Sequence, residues 1–276
     1  MKNSNEIDIA QKLIRCKSTY PNDNGALKIV EEECKVLGFK CTKLRFSQKG
    51  YDSISNLYAE IGSGTPHFCF AGHVDVVPAD KKEWSVDPFK GVIKKGSLWG
   101  RGAVDMKSAI ACFLSAVKNF LNENKHFNGK ISVMVTNDEE SYAVLGTKKI
   151  LKWLKKKKIK INNCLVGEPT NLNILGDQIK IGRRGGYNGV VTVYGKEGHS
   201  AWPNRTKNPV SALMKMLTNI DKKILDKGTK HFQPSIISIT SLDVGNEALN
   251  VIPSKAMGCF NIRFNPTHTI KSLTKW

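Results

Sequence analysis

The chain has 276 residues, 40% of them hydrophobic and ten of them proline, enough for one large domain or two ordinary ones around a real core, which excludes the disordered class. Lys and Arg number 43 against 24 Asp and Glu, a formal net charge of +19, but only seven of the basic residues are arginines and the lysines are spread along the whole chain. The charge therefore carries no organised nucleic-acid footprint. No apolar run approaches the roughly 20 residues of a membrane span, and the N-terminal MKNSNEIDIAQ lacks the apolar stretch of a secretory signal. A cytoplasmic protein without nucleic-acid or membrane partners is the expectation. Seven cysteines without a CxxC pair suit reduced, mostly buried thiols.

Helical spacing of apolar residues predicts helices over 5–16 and 25–39. Strands follow at 41–46 and 56–62, and then HFCFAGHVDVV, 67–77, reads as a buried central strand. After a polar excursion, DMKSAIACFLSAVKNFLNEN, 105–124, reads as one helix with Asp105 at its N-cap. KISVMVT then predicts a strand, LGTKKILKWLKKK a helix whose lysine-rich end is solvated, and INNCLVGEP another strand. This alternation implies α/β architecture, a mostly parallel sheet with helices on both faces, over residues 1–179. From the glycine-rich GRRGGYNGV onward the order becomes strand, helix, strand, strand, so a second, smaller α+β unit is expected over 180–276.

Acids and histidines are organised on this scaffold. His73 and Asp75 close one apolar strand, Asp105 follows the WGRG turn, Glu139 and Glu140 follow the next strand, and Glu168 follows the one after that. Each falls at the strand end where such sheets gather ligands. One imidazole with several carboxylates, and no thiolate, suits zinc or a related divalent ion that keeps an open position for water. Asp75, two residues along, shares a strand face with His73 and is placed to accept the imidazole N–H. Asp138 is expected in a solvated loop, and His67, His126, His231 and His268 in loops or at the surface. Neither GRG nor RRGG belongs to a phosphate-binding signature.

The ordered motifs GHVDVVP, GRGAVDMK, NDEES, VGEPT and GHSAWP, with GRRG and NVIPSKAMGCFNIRFN, resemble the co-catalytic zinc amidohydrolases of the aminoacylase and carboxypeptidase type. The resemblance implies a metal-dependent hydrolase of a linear amide in a small-molecule substrate, with two zinc ions, or cobalt, per subunit. It implies that His73 and Glu168 bind one metal, that Asp105 bridges both, and that Glu140 binds the second. Glu139 is then the general base, and Asp75, which orients the imidazole of His73, is counted with it as catalytic. The second unit is implied to be a dimerisation lid inserted in the catalytic domain, giving a homodimer in which His199 reaches the partner subunit's active site. Arg183, Asn250 and Arg263 match positions that hold the substrate's carboxylates and amide, for which forked guanidinium donors are suited. By the same resemblance the chain stops inside the lid, at THTIKSLTKW, before a glycine-rich substrate loop and a last histidine ligand of the second metal.

Overall fold

The pattern of buried and exposed positions follows from how each segment repeats. A computed structural model describes residues 5–275 and divides into two compact units, Met1–Leu175 and Gly176–Trp276. In the first, α1 (Asn5–Arg15) and α2 (Ala26–Val36) bury Ile9, Leu13, Val30 and Cys34, residues three or four apart on one face. The antiparallel pair β1 (Lys40–Gln48) and β2 (Tyr51–Ser63) precedes β3 (His67–His73), the short hairpin β4 (Val92–Lys94) and β5 (Ser97–Trp99), then α3 (Ser108–Glu123), β6 (Gly129–Thr136), α4 (Thr147–Lys156) and β7 (Asn163–Val166).

The main sheet has the order β1-β2-β6-β3-β7. The strands that lead to the acids and imidazole, β6, β3 and β7, are parallel, whereas β2 joins β6 antiparallel. Strand alternation divides the side chains between two faces. Leu57, Ala59, Phe70, Val133 and Val135 pack against α1, α2 and α3, while Tyr58, Cys69, Ala71 and Met134 pack against Ile150 and Leu154 of α4. Helices cover both faces. Each large apolar side chain taken fully out of water contributes about 1.5–3 kcal/mol, so a one-residue slip of β3 or β6 would exchange the two faces and be strongly opposed.

Two predicted elements are shorter than their apolar patterns. The strand read over 67–77 ends at His73, because Val74 N–H turns to Thr136 O and Val76 N–H to Ser18 O. The helix read from Asp105 begins at Ser108. Residues Ala103–Lys107 instead form a wide turn closed by Lys107 N–H on Gly102 O, with Asp105 at φ −121°, ψ 98°, so Asp105 is not a helix cap.

The second unit contains β8 (Gly185–Tyr194), β9 (Gly198–His199), α5 (Pro209–Asp221), β10 (Ile236–Asp243), β11 (Val251–Ile252), β12 (Lys255–Phe264) and the short α6 (Ile270–Thr274). Its sheet runs β10-β12-β8, all antiparallel, and α5 lays Leu213 and Leu217 on Val191, Val193 and Ala256. Asn208 caps α5 by accepting Val210 N–H at 2.9 Å, with Pro209 as the first helical residue. The glycine-rich stretch is strand: a Cβ at Gly185 or Gly189 would fall 2.2 or 2.1 Å from the ring of Phe264 or Phe260 on β12. Among the described residues no helix is long and apolar enough to cross a membrane. The seven cysteines are free thiols, but only Cys34 and Cys69 are fully buried, fewer than expected.

Candidate metal centre and active site

His73 ends β3 with its side chain 1% exposed. Its Nδ1 lies 2.9 Å from the backbone carbonyl of Asp75. A carbonyl only accepts, so Nδ1 carries a proton, and Nε2 is the nitrogen turned toward the carboxylates. Around Nε2 stand Asp105 Oδ1 at 3.0 Å, Glu168 Oε1 at 3.6 Å and Glu139 Oε2 at 3.9 Å. Two triplets, His73 with Asp105 and Glu168 and His73 with Glu139 and Glu140, each bring one donor atom per residue within 4.8 Å of the others. These ligand candidates come from β3, the turn before α3, the loop after β6 and the segment after β7, so the parallel strands deliver them to one edge.

Asp75 is placed differently from the sequence expectation. Its backbone carbonyl, not its carboxylate, makes the close contact to the imidazole; Oδ1 is 3.5 Å from Nδ1 and has no hydrogen-bond partner among the described residues. Oδ2 accepts the backbone N–H groups of Glu139 and Glu140, each at 2.8 Å. Asp75 thus fixes the backbone that carries the two glutamates. Asp138 is not a solvated loop residue either: it is 2% exposed, and its carboxylate accepts the N–H groups of Ala143 (3.0 Å), Val144 (2.9 Å) and Leu145 (2.7 Å). A short loop closed on one carboxylate displays Glu139 and Glu140.

Electrostatics mark the cluster as one that gathers negative charge. Burial raises the Glu139 carboxyl above its usual range; Glu168, Asp75 and Asp105 raise it further, against the lowering effect of His73. Burial, then Asp105, raise Glu140. Burial disfavours charge on His73, but Asp75 and Glu139 outweigh it and push the imidazole up to about 9. Carboxylates that repel one another around a single imidazole are the donor set a divalent cation relieves, and the residues present fit zinc. Lys107 is fully buried, donates to Leu13 O and Cys16 O at 2.8 Å each, and is pushed down to about 8 by burial. Ser18 Oγ donates to Val74 O. The C-terminal end of α1 and the residues after it therefore tie down the turn of Asp105 and the segment of Asp75 together.

The remaining expected site residues lie in the second unit. Arg183, His199, Asn250 and Arg263 are all exposed. His199 pairs with Val251 across β9 and β11, and Ser200 N–H donates to Asn250 O at 2.9 Å, so His199 and Asn250 are neighbours. Arg263 lies on β12 opposite Gly186, close in sequence to Arg183, at the other end of the sheet. Eight residues of strand separate Arg263 from Lys255, where β9 and β11 begin to branch off, a span of about 26 Å. These four residues form two groups rather than one.

Of the histidines outside the motifs, His126 and His231 are exposed as expected. His67 is 3% exposed, bonded to Lys160 O and Ser132 Oγ, and His268 is half-buried against Asp226 at 3.1 Å. Sequence reasoning missed Asp138, Met106 and Lys107 as parts of the site's support, because a helical reading of 105–124 left no reason to single out the last two.

Residues 69–269 match peptidase family M20/M25/M40, and the chain belongs to that family of metal-dependent amide hydrolases. It is 51% identical over 271 residues to a succinyl-diaminopimelate desuccinylase of Parvibaculum lavamentivorans, covering 98% of this chain and 68% of the relative. It is 50% identical over 274 residues to one of Pelagibacter ubique, covering 99% of this chain and 71% of the relative. The fold is shared with an M20 family metallo-carboxypeptidase from Sulfolobus solfataricus: TM-score 0.69, 18% identity, 98% of this chain and 73% of that one.

Proposed function

We propose that the chain hydrolyses N-succinyl-LL-2,6-diaminopimelate to succinate and LL-2,6-diaminopimelate, a step of diaminopimelate and lysine synthesis. The observation that carries the reading is the convergence of His73, Asp105, Glu139 and Glu168 at one strand-end cluster, in a chain half identical to relatives named for that reaction. His73, Asp105 and Glu168 hold one zinc; Asp105 and Glu140 contribute to a second, and cobalt suits the same donors. Bound metal supplies Lewis-acid polarisation of the scissile carbonyl and acidifies water.

The chain's own residues do the rest. Glu139, adjacent to but distinct from the ligand Glu140, takes a proton from the attacking water and hands it to the departing amine. Its raised carboxyl brings it closer to working pH for that exchange. Asp75 supports it through the backbone. Residues 1–179 act as the catalytic domain and 180–276 as a lid through which two copies form a homodimer. The separation of His199 and Asn250 from Arg183 and Arg263 supports this: one group serves the substrate in its own subunit's site, the other reaches into the partner's. Arg183 and Arg263 pair with the substrate's carboxylates, and His199 and Asn250 with the amide.

The test is succinate release by zinc-loaded protein. Zinc-dependent release that Glu139→Gln lowers by about 100-fold or more is the expected result. Release of acetate from acetylornithine in its place would move the assignment to a deacetylase.

A further inference from the structure

Two glycines stand directly before two of the metal-binding candidates, Gly72 before His73 and Gly167 before Glu168. Neither has a positive φ, so backbone freedom does not require them. Space does. A Cβ at Gly72 would lie 2.7 Å from Cε of Met106, 3.3 Å from its Sδ and 3.2 Å from the Phe70 ring, and a Cβ at Gly167 would lie 2.7 Å from the same Cε and 2.5 Å from the Phe70 ring. Met106 is fully buried and adjoins Asp105 in the chain. Its sulfur also receives the backbone N–H of His73 at 3.3 Å. One thioether therefore touches the segment that carries His73, the segment that carries Glu168, and is covalently next to Asp105.

A methionine in a core is most often an adaptable filler. A filler does not account for its sulfur as the acceptor of a ligand's own N–H, nor for a terminal methyl that, together with the Phe70 ring, leaves no room for a Cβ on either ligand segment. Leucine, branched at Cγ, has no atom where Cε sits and offers no acceptor.

We propose that Met106 is a positioning residue of the metal centre: its side chain fills the slot between Gly72 and Gly167 and so sets the backbones of His73, Asp105 and Glu168 at the spacing that one metal ion requires. This rests on the metal-centre reading above. Met106 touches no reacting atom and acts through the three ligands.

The test uses metal-free full chain. Zinc affinity is read by competition with a chromophoric chelator, the ligand field by the visible absorption of the Co(II) form, and the fold by thermal unfolding without metal. Met106→Leu conserves volume and leaves the metal-free melting temperature within about 4 °C of wild type, yet weakens zinc by about tenfold, as expected for a group that orients ligands, and shifts the Co(II) bands. Gly72→Ala weakens zinc by at least as much, and adding Met106→Ala to it recovers part of the loss, because the intruding methyl then has room. Met106→Leu with zinc affinity within twofold of wild type and an unchanged Co(II) spectrum overturns the proposal, and decides it alone if the alanine variants do not fold. A wild-type affinity that His73→Ala leaves unchanged overturns the metal centre itself, and the proposal with it, which is a separate result.

Discussion

Oδ2 of Asp75 accepts the backbone N–H groups of Glu139 and Glu140 together, each at 2.8 Å. The bond pair joins the segment after β3 to the loop after β6, so one residue holds both: its backbone carbonyl meets the imidazole and its carboxylate the two glutamates. Asp75→Ala leaves both donors without that acceptor, a loss on the order of 1–3 kcal/mol. Denaturant unfolding is expected to show that loss, and kcat for amide hydrolysis to fall further than KM rises, because the backbone of Glu139, the proposed base, loses its anchor. Asp75→Asn, which keeps one oxygen, is expected to fall between. Unchanged kcat in Asp75→Ala would show that the glutamates hold their places without it.

Asp138 closes its loop with three backbone donors. Asp138→Ala is expected to lower the stability by about 2–4 kcal/mol, read as a shift of the urea midpoint. A surface acid of the kind the sequence suggested would change it by less than about 0.5 kcal/mol.

The contrast between these two aspartates shows what was legible beforehand. Buried parallel strands print as short apolar runs, FCFA and VMV, and an acid placed just after such a run is recognisable because ligands collect at that edge. His73, Glu139, Glu140 and Glu168 were readable for that reason. Asp138 occupies the same kind of place, but its donors come from residues 143–145, and nothing in the sequence shows that the loop folds back. The partners of His67 lie 93 and 65 residues away, beyond any local pattern. Met106 and Lys107 were hidden by periodicity: apolar spacing continued through a turn that is not helical.

In the second unit, the Asp226 carboxylate accepts Gly228 N–H at 2.6 Å and Asn265 Nδ2–H at 2.7 Å, takes Ser235 N–H, and contacts His268. Burial works against its charge, but the donors of Ser235, Gly228 and Asn265 outweigh it and hold the carboxyl below its usual range. A depressed carboxyl contributes stability that is present above the unfolded value, about 3.9, and is lost as pH falls through the lower folded value. Asp226→Asn is therefore expected to be less stable than wild type at pH 7, with the gap closing below about pH 4. Unfolding midpoints for both proteins across that range check it; a gap independent of pH would contradict the assignment.

If His199 and Arg263 serve different active sites of a homodimer, two inactive variants rescue one another. His199→Ala and Arg263→Ala are each expected to be nearly inactive, while subunit exchange between them restores about a quarter of wild-type activity, one complete site in each of the half of dimers that are mixed. Activity that stays at the level of the separate variants would place both residues in one site.

Zinc titration of the metal-free chain measures directly the metal centre proposed for His73, Asp105 and Glu168. Wild-type protein is expected to bind zinc tightly, and His73→Ala and Asp105→Ala to weaken that binding by at least about 100-fold, the upper range seen even for groups that only orient ligands, without loss of the metal-free fold. Equal zinc affinity in wild type and both variants would contradict it.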